Sequence, residues 1–236
     1  VEEVIYERVE KGVFIDRPNR FIANVLINGK NEVVHVKNTG RCKEILIEGS
    51  LVYIQKSTNI NRKTAYDLIA VEKEIGRGEK ITINIDSQIP NKVVEEAIIQ
   101  SKIPEIGKID YLKREAKHGS SRFDFYYEKG NVKGFIEVKG VTLENNRHAK
   151  FPDAPTKRGA RHLKELTYLQ NKGYQNYVFF LLQMNHPVIF SPNWETDEEF
   201  SNNLVEANNS GIGILCYDAL VGAEYICINK KIEKSI

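Results

Sequence analysis

The chain changes its hydrophobic rhythm once, near Pro90, and that change constrains the fold more than any other feature. Before it, short apolar, β-branched runs alternate with polar turns. "RFIANVLINGKNEVVHVKN" places two such runs around Asn28-Gly29, a pair that tolerates the positive φ of a tight hairpin. "SLVYIQKS", "TAYDLIAVEK" and "KITINID" read as three further strands. Five short strands within about 80 residues predict a five-stranded barrel of the oligonucleotide-binding (OB) type, or a small sandwich with the same signature.

From Pro90 the period becomes helical. "PNKVVEEAIIQ" puts Val93, Val94, Ala97 and Ile98 on one face, with Asn91 placed as N-cap. Two strands follow in "SSRFDFYYEKGNVKGFIEVKG". "PDAPTKRGARHLKELTYLQNKG" then predicts a helix with Leu163, Leu166 and Leu169 inward and Gly173 as its stop. "YVFFLLQM" is a buried strand, and a helix near Asp197 to Asn209 and the strands "IGILCYD" and "EYICIN" complete the pattern. The expected fold is α/β (α+β): a barrel over 1–86 and a mixed-sheet domain over 87–236, with the boundary between about Ile85 and Asn91.

Composition excludes little. With 236 residues, 41% hydrophobic and 28% charged, the chain is long enough for stable cores without staples. No apolar run approaches the roughly 18 residues of a membrane span, and "VEEVIYERVEKG" lacks the layout of a signal peptide, so the expectation is a cytoplasmic protein away from membranes. Cys42, Cys216 and Cys227 form no C-x-x-C pair and read as buried reduced thiols. A net charge of +2 neither demands nor forbids a polyanionic partner. Its distribution is uneven: Lys150, Lys157, Arg158, Arg161, His162 and Lys164 crowd one stretch, and Lys37, Arg41, Lys43, Lys56, Arg62 and Lys63 another.

Three charged residues stand in the middles of apolar strands. Glu137 and Lys139 are two apart and share a face, while Ile136 and Val138 point the other way. Asp124 lies between Phe123 and Phe125, which should face opposite to it. If the strands pair with Asp124 opposite Glu137, the turn falls within Glu128 to Lys133, where "EKGN" is good turn chemistry. Two carboxylates across a ladder repel, a cost that a divalent cation reverses.

A strand Asp followed by Glu-x-Lys on the next strand resembles the PD-(D/E)XK nuclease superfamily, although Phe123 stands where that name places proline. The whole chain is similar to the sugar fermentation stimulation protein A (SfsA) family through "RFIANV", "NTGR", "SRFDF", "EVKGVTL", "FPDAPTKRGARHLKEL" and "SPN", in that order. The resemblance implies an N-terminal OB barrel, a nuclease-like second domain, DNA binding and a regulatory role in sugar metabolism. It does not by itself imply turnover, and a binding-only regulator with a structural acidic cluster is the competing expectation.

In the nuclease reading Asp124 and Glu137 ligate Mg²⁺ or Mn²⁺, and Lys139 orients water or stabilises charge at phosphorus. Glu95, closer to the buried side of its helix than Glu96, is the expected third acid. Arg158, Arg161 and His162 in the first turns of the basic helix are expected to contact phosphate. Asn38, Thr39 and Arg41, in a loop of the barrel, are expected to bind nucleic acid, with Tyr53 and Tyr66 as stacking candidates. Gln183 either reaches the site or caps its strand.

Overall fold

The computed structural model describes residues 3–38, 40–59, 61–119 and 121–236. A short β1 (Val4–Ile5) precedes β2 (Val9–Asn19), β3 (Ile22–Ile27), β4 (Lys30–Val36), β5 (Leu51–Lys56), β6 (Tyr66–Gly76) and β7 (Glu79–Asn84). Strands β2 to β7 form one sheet in the order β4-β3-β2-β5-β6-β7, and a parallel pairing of β4 with β6 closes it into a barrel. Its core is aliphatic, built on Val25, Val34, Ile54, Leu68 and Ile83. Asn28 and Gly29 both take positive φ between β3 and β4, as the hairpin requires.

Five strands close the barrel, but they are not the five the sequence suggested. The long β2 belongs to it, while β7 hangs on the outer edge of β6. In β2 the alternation is hidden because Lys11, Asp16, Arg17 and Pro18 crowd it and Gly12 replaces a side chain. That glycine is needed: a Cβ there would collide with the Val25 side chain across the narrow barrel.

The second unit starts with α1 (Ile89–Ile99) and continues through β8 (Tyr111–His118), β9 (Ser121–Lys129), β10 (Val132–Val141), β11 (Glu144–Asn145) and β12 (His148–Phe151). Then come α2 (Lys157–Gln170), β13 (Tyr177–Leu182), β14 (Ile189–Pro192), α3 (Glu198–Asn209), β15 (Gly213–Val221), β16 (Tyr225–Lys231) and β17 (Glu233–Lys234). The main sheet runs β1-β16-β15-β13-β10-β9-β8, with β10, β13 and β15 mutually parallel. One face packs on α1 through Phe125, Ile136, Val138 and Phe179; the other packs on α2 and α3 through Phe135, Val178, Phe180 and Cys216. A smaller sheet, β11-β12-β14-β17, lies beside it. All three cysteines are free and buried.

The two units interlock. Strand β1 pairs with β16 in the far domain's sheet, and Met184 is buried in the barrel's core. Gln183, at the end of β13, is buried and its amide donates to Asn84 Oδ1 (2.9 Å) and to the Asp86 carbonyl (3.1 Å). No helix among the described residues is long and apolar enough to cross a membrane.

Candidate active site

Strands β9 and β10 pair with Val132 opposite Lys129 and Ile136 opposite Phe125, so the two-residue turn is Gly130-Asn131 and the register runs toward Asp124 opposite Glu137. The ladder stops one step short of them. There the Val138 N–H donates to Asp124 Oδ2 at 2.7 Å, so a side chain takes the place of a ladder carbonyl. The strand faces change at the same point. Phe125 packs on the α1 side and Phe123 on the α2 side, so the two do not share the face expected of them. The side-chain acceptor interrupts the pleat and opens the sheet at the two carboxylates.

Asp124 is half-buried, and its Oδ1 accepts from the Asn91 amide at 2.7 Å. Asn91 is therefore not the N-cap expected of it. Gln88 occupies the cap without a side-chain hydrogen bond, Pro90 fills the first turn, and Asn91 turns inward to the carboxylate. Glu137 is buried. Its Oε1 accepts from Lys139 Nζ at 2.5 Å and lies 2.6 Å from His162 Nδ1, while Oε2 has no partner among the described residues.

These neighbours separate the two acids. Burial, and then the charge of Glu137, pushes the Asp124 carboxyl up to about 6. Burial would raise Glu137 too, but Lys139 and His162 outweigh it and hold its carboxyl below the usual range. One acid is thus firmly ionised and its neighbour is reluctant to follow.

A raised folded-state pKa contributes stability that is complete below the unfolded value and lost as pH rises through about 6. Asp124→Asn, with Asn91 turning its amide to match, should therefore be more stable than wild type by about 1–3 kcal/mol at pH 7–8 in chelator, the difference vanishing near pH 4. Urea unfolding at the two pH values measures it; equal stabilities at neutral pH would exclude the repulsion.

The donor set fits a hard divalent cation. Among the described residues Glu137 Oε2 is a buried oxygen without a partner, and each Asp124 oxygen keeps an unused lone pair. Among the described residues no group of three or more His, Cys, Asp and Glu side chains is arranged for a metal. The protein offers two carboxylates, a number sufficient for Mg²⁺ when water and phosphate complete the shell.

The other expected residues divide. Glu95 lies one turn beyond Asn91 on the same face of α1, but its carboxylate is held by Arg114 of β8 at 3.4 Å. Glu96 faces away, toward Cys227 and Ile228. His162 is buried against Glu137, so the expectation that it contacts phosphate beside Arg158 and Arg161 is corrected: those two are exposed, and His162 braces the acid. Its type was legible, but its direction was hidden because it sits where the apolar stripe of Leu163 and Leu166 meets the basic face.

In the barrel, Asn38 is engaged in its own loop, donating to the Ile85 carbonyl and accepting from Gly40 N–H. Thr39 lies outside the described residues. Arg41 has an exposed side chain, and its N–H donates to Asp153 Oδ2 of the other domain at 3.1 Å. Tyr53 is buried with its hydroxyl on Glu72, so its ring is not free to stack, and the half-buried Tyr66 directs its hydroxyl toward Glu10. Lys37 and Arg62 are likewise spent on Asp67.

Sequence reasoning missed Arg17, Arg20, Gly40, Gly140 and Asp153. The Arg17 guanidinium donates to the carbonyls of Arg20, Asn38, Gly40 and Arg41 and so shapes the loop. A Cβ on Gly40 would collide with Asp153, and one on Gly140 would collide with Gln183 and come within 2.8 Å of Pro90. The "NTGR" and "EVKG" glycines were the available signal.

An OB barrel interlocked with a mixed-sheet domain that opens at paired carboxylates defines a two-domain α+β protein. Residues 15–83 match the family described as "SfsA N-terminal OB domain" and residues 88–225 the family described as "Sugar fermentation stimulation protein RE domain". The chain belongs to the sugar fermentation stimulation protein (SfsA) family. Two curated relatives named "Sugar fermentation stimulation protein homolog", from Ruminiclostridium cellulolyticum and Clostridium beijerinckii, are each 50% identical over 228 residues, covering 97% of this chain and 98% of theirs. A solved structure described as Pyrococcus furiosus SfsA in complex with Ca²⁺ matches with a TM-score of 0.88 at 28% identity, over 100% of both chains.

Proposed function

We propose that this protein binds DNA and carries a Mg²⁺- or Mn²⁺-dependent phosphodiesterase site of the PD-(D/E)XK nuclease type. The observation that supports it most is Glu137 Oε2, a buried carboxylate oxygen with no partner among the described residues, placed beside an Asp124 whose ionisation that same carboxylate opposes. Folded proteins seldom retain such an arrangement unless something else completes it. The Pyrococcus relative, described in complex with Ca²⁺, a hard divalent ion, agrees with this reading.

Asp124 and Glu137 would hold the ion, which when bound supplies positive charge to the phosphate and lowers the pKa of water. Val138 N–H and the Asn91 amide fix the Asp124 carboxylate, and His162 fixes Glu137, so neither ligand needs to reorganise. Lys139 sits with its ammonium on Glu137 and remains partly accessible, in position to steady charge developing on phosphorus. Exposed Arg158 and Arg161, without ion-pair partners among the described residues, would hold the backbone. The regulatory role in sugar metabolism would follow from DNA binding.

The second reading is a binding-only regulator. It is favoured by Lys139, which already neutralises Glu137, and by the lack of a three-group metal cluster among the described residues. Melting temperature separates the two. The metal reading expects Mg²⁺ or Mn²⁺ to raise it, with the rise absent in Asp124→Ala and Glu137→Ala and present in Lys139→Ala, because lysine is not a ligand. A wild-type melting temperature indifferent to both ions would leave the binding-only regulator.

A further inference from the structure

The barrel and the second domain enclose a cleft of about 440 Å³ that neither domain forms alone. Arg20, Asn38 and Gly40 of the barrel and Ser87 at the junction face Asp153, Gly140 and Gln183 across it. Phe151 and Pro152 give it an apolar wall, and Ser87, Thr142 and Gln183 a polar floor. Gln183 is 1% exposed; its amide nitrogen is used twice, yet its amide oxygen accepts nothing among the described residues and borders the cleft over Gly140. Asp153, the one acid among the described lining residues, is already engaged by Arg41 N–H.

The cleft is bordered by chain neighbours of the residues that build the carboxylate site. Gly140 in its floor follows Lys139, and Pro90, packed over Gly140, precedes the Asn91 that holds Asp124. Arg20 and Gly40 also line a second hollow of about 290 Å³. Arg17, Arg20, Arg41 and Lys43 line that hollow, and among the described residues no carboxylate does.

Building on the DNA-binding reading, we infer that this junction is a single-strand site: one unpaired nucleotide of DNA seats its base in the cleft while the adjoining backbone follows Arg20, Arg41 and Lys43. The size argues for it. A volume of this order suits a ligand of drug or nucleotide dimensions, so a paired duplex is excluded and one unstacked nucleotide is admitted. The chemistry agrees, because an apolar wall against a polar floor takes a flat heterocycle with hydrogen-bonding edges, and the cationic track takes its phosphates. A strand so seated passes its next phosphodiester toward Lys139, which makes the specificity one for unpaired DNA.

The test is fluorescence anisotropy in EDTA, with a labelled single-stranded oligodeoxynucleotide and the duplex of the same sequence. Wild type should bind the single strand about tenfold or more tighter than the duplex. Ala154→Trp, which fills the cleft from its rim, should abolish that preference. Arg20→Ala/Arg41→Ala/Lys43→Ala should reduce the slope of log affinity against log salt by about 2 for the single strand, at roughly 0.7 per lost phosphate contact. Melting temperatures establish that each variant is folded, and the arginine and lysine changes leave the backbone contacts of the loop in place. Equal wild-type affinity for both forms, or a folded Ala154→Trp that keeps the preference together with an unchanged triple-variant slope, would overturn the single-strand site and leave DNA binding intact. Binding of neither form would overturn the DNA-binding reading itself.

Discussion

Glu137→Gln is expected to abolish Mn²⁺-supported cleavage of DNA, a loss of at least about 1,000-fold, while leaving DNA affinity within a few-fold. The substitution keeps the shape and removes the charge that pairs with Lys139 and that faces the cation. Asp124→Ala should be equally inactive, and Lys139→Ala inactive but still responsive to metal in melting experiments. The pH dependence follows from the same geometry. Asp124 takes up its proton near pH 6, so cleavage and the metal-induced rise in melting temperature should both be small at pH 5 and reach a plateau above about pH 7. Gel assays across pH with each variant measure this. Residual cleavage in Glu137→Gln at the wild-type rate would assign any activity to another site or a contaminant.

That these residues were legible in the sequence follows from strand periodicity. Glu137 and Lys139 are two apart, and the turn between Lys129 and Val132 fixes which residue of β9 approaches them. The interruption of the pleat at Asp124 was not legible, because it depends on a side chain bonding to the backbone N–H of Val138, 14 residues away. Asn91 illustrates the same limit: Pro90-Asn91 reads locally as a helix start, and only the packing of α1 on the sheet turns that amide to Asp124. β8, "YLKREAKH", was hidden because an edge strand with one pairing partner carries charge rather than alternation. The junction cleft was furthest from reach. Arg20, Gly40, Ser87, Gly140, Asp153 and Gln183 meet only once two domains dock, and no local pattern encodes that meeting.

The docking itself has a measurable anchor. Lys73 of β6 donates to Glu144 Oε2 at 2.5 Å and to the Glu144 carbonyl at 2.7 Å, and Glu144 Oε1 accepts from Arg147 N–H at 2.6 Å. The Glu144 side chain is 2% exposed and that of Lys73 17%, so water is a poor substitute for the ammonium, and the remaining side-chain neighbour, His186 Nε2, lies 3.8 Å from Glu144 Oε1. Lys73→Met therefore strands a buried carboxylate and is expected to cost about 3–5 kcal/mol in urea unfolding. Lys73→Met/Glu144→Gln should recover most of that loss, because the penalty lies in the uncompensated charge rather than in the absence of the pair. Since β1 lies in the far sheet, Met184 in the barrel core and Lys73 on Glu144, the loss should appear as one shifted transition rather than as a separate melting of the barrel. Two resolved transitions in wild type would show that the domains fold independently despite these contacts, and a double variant as weak as the single would show that Lys73 acts through something other than Glu144.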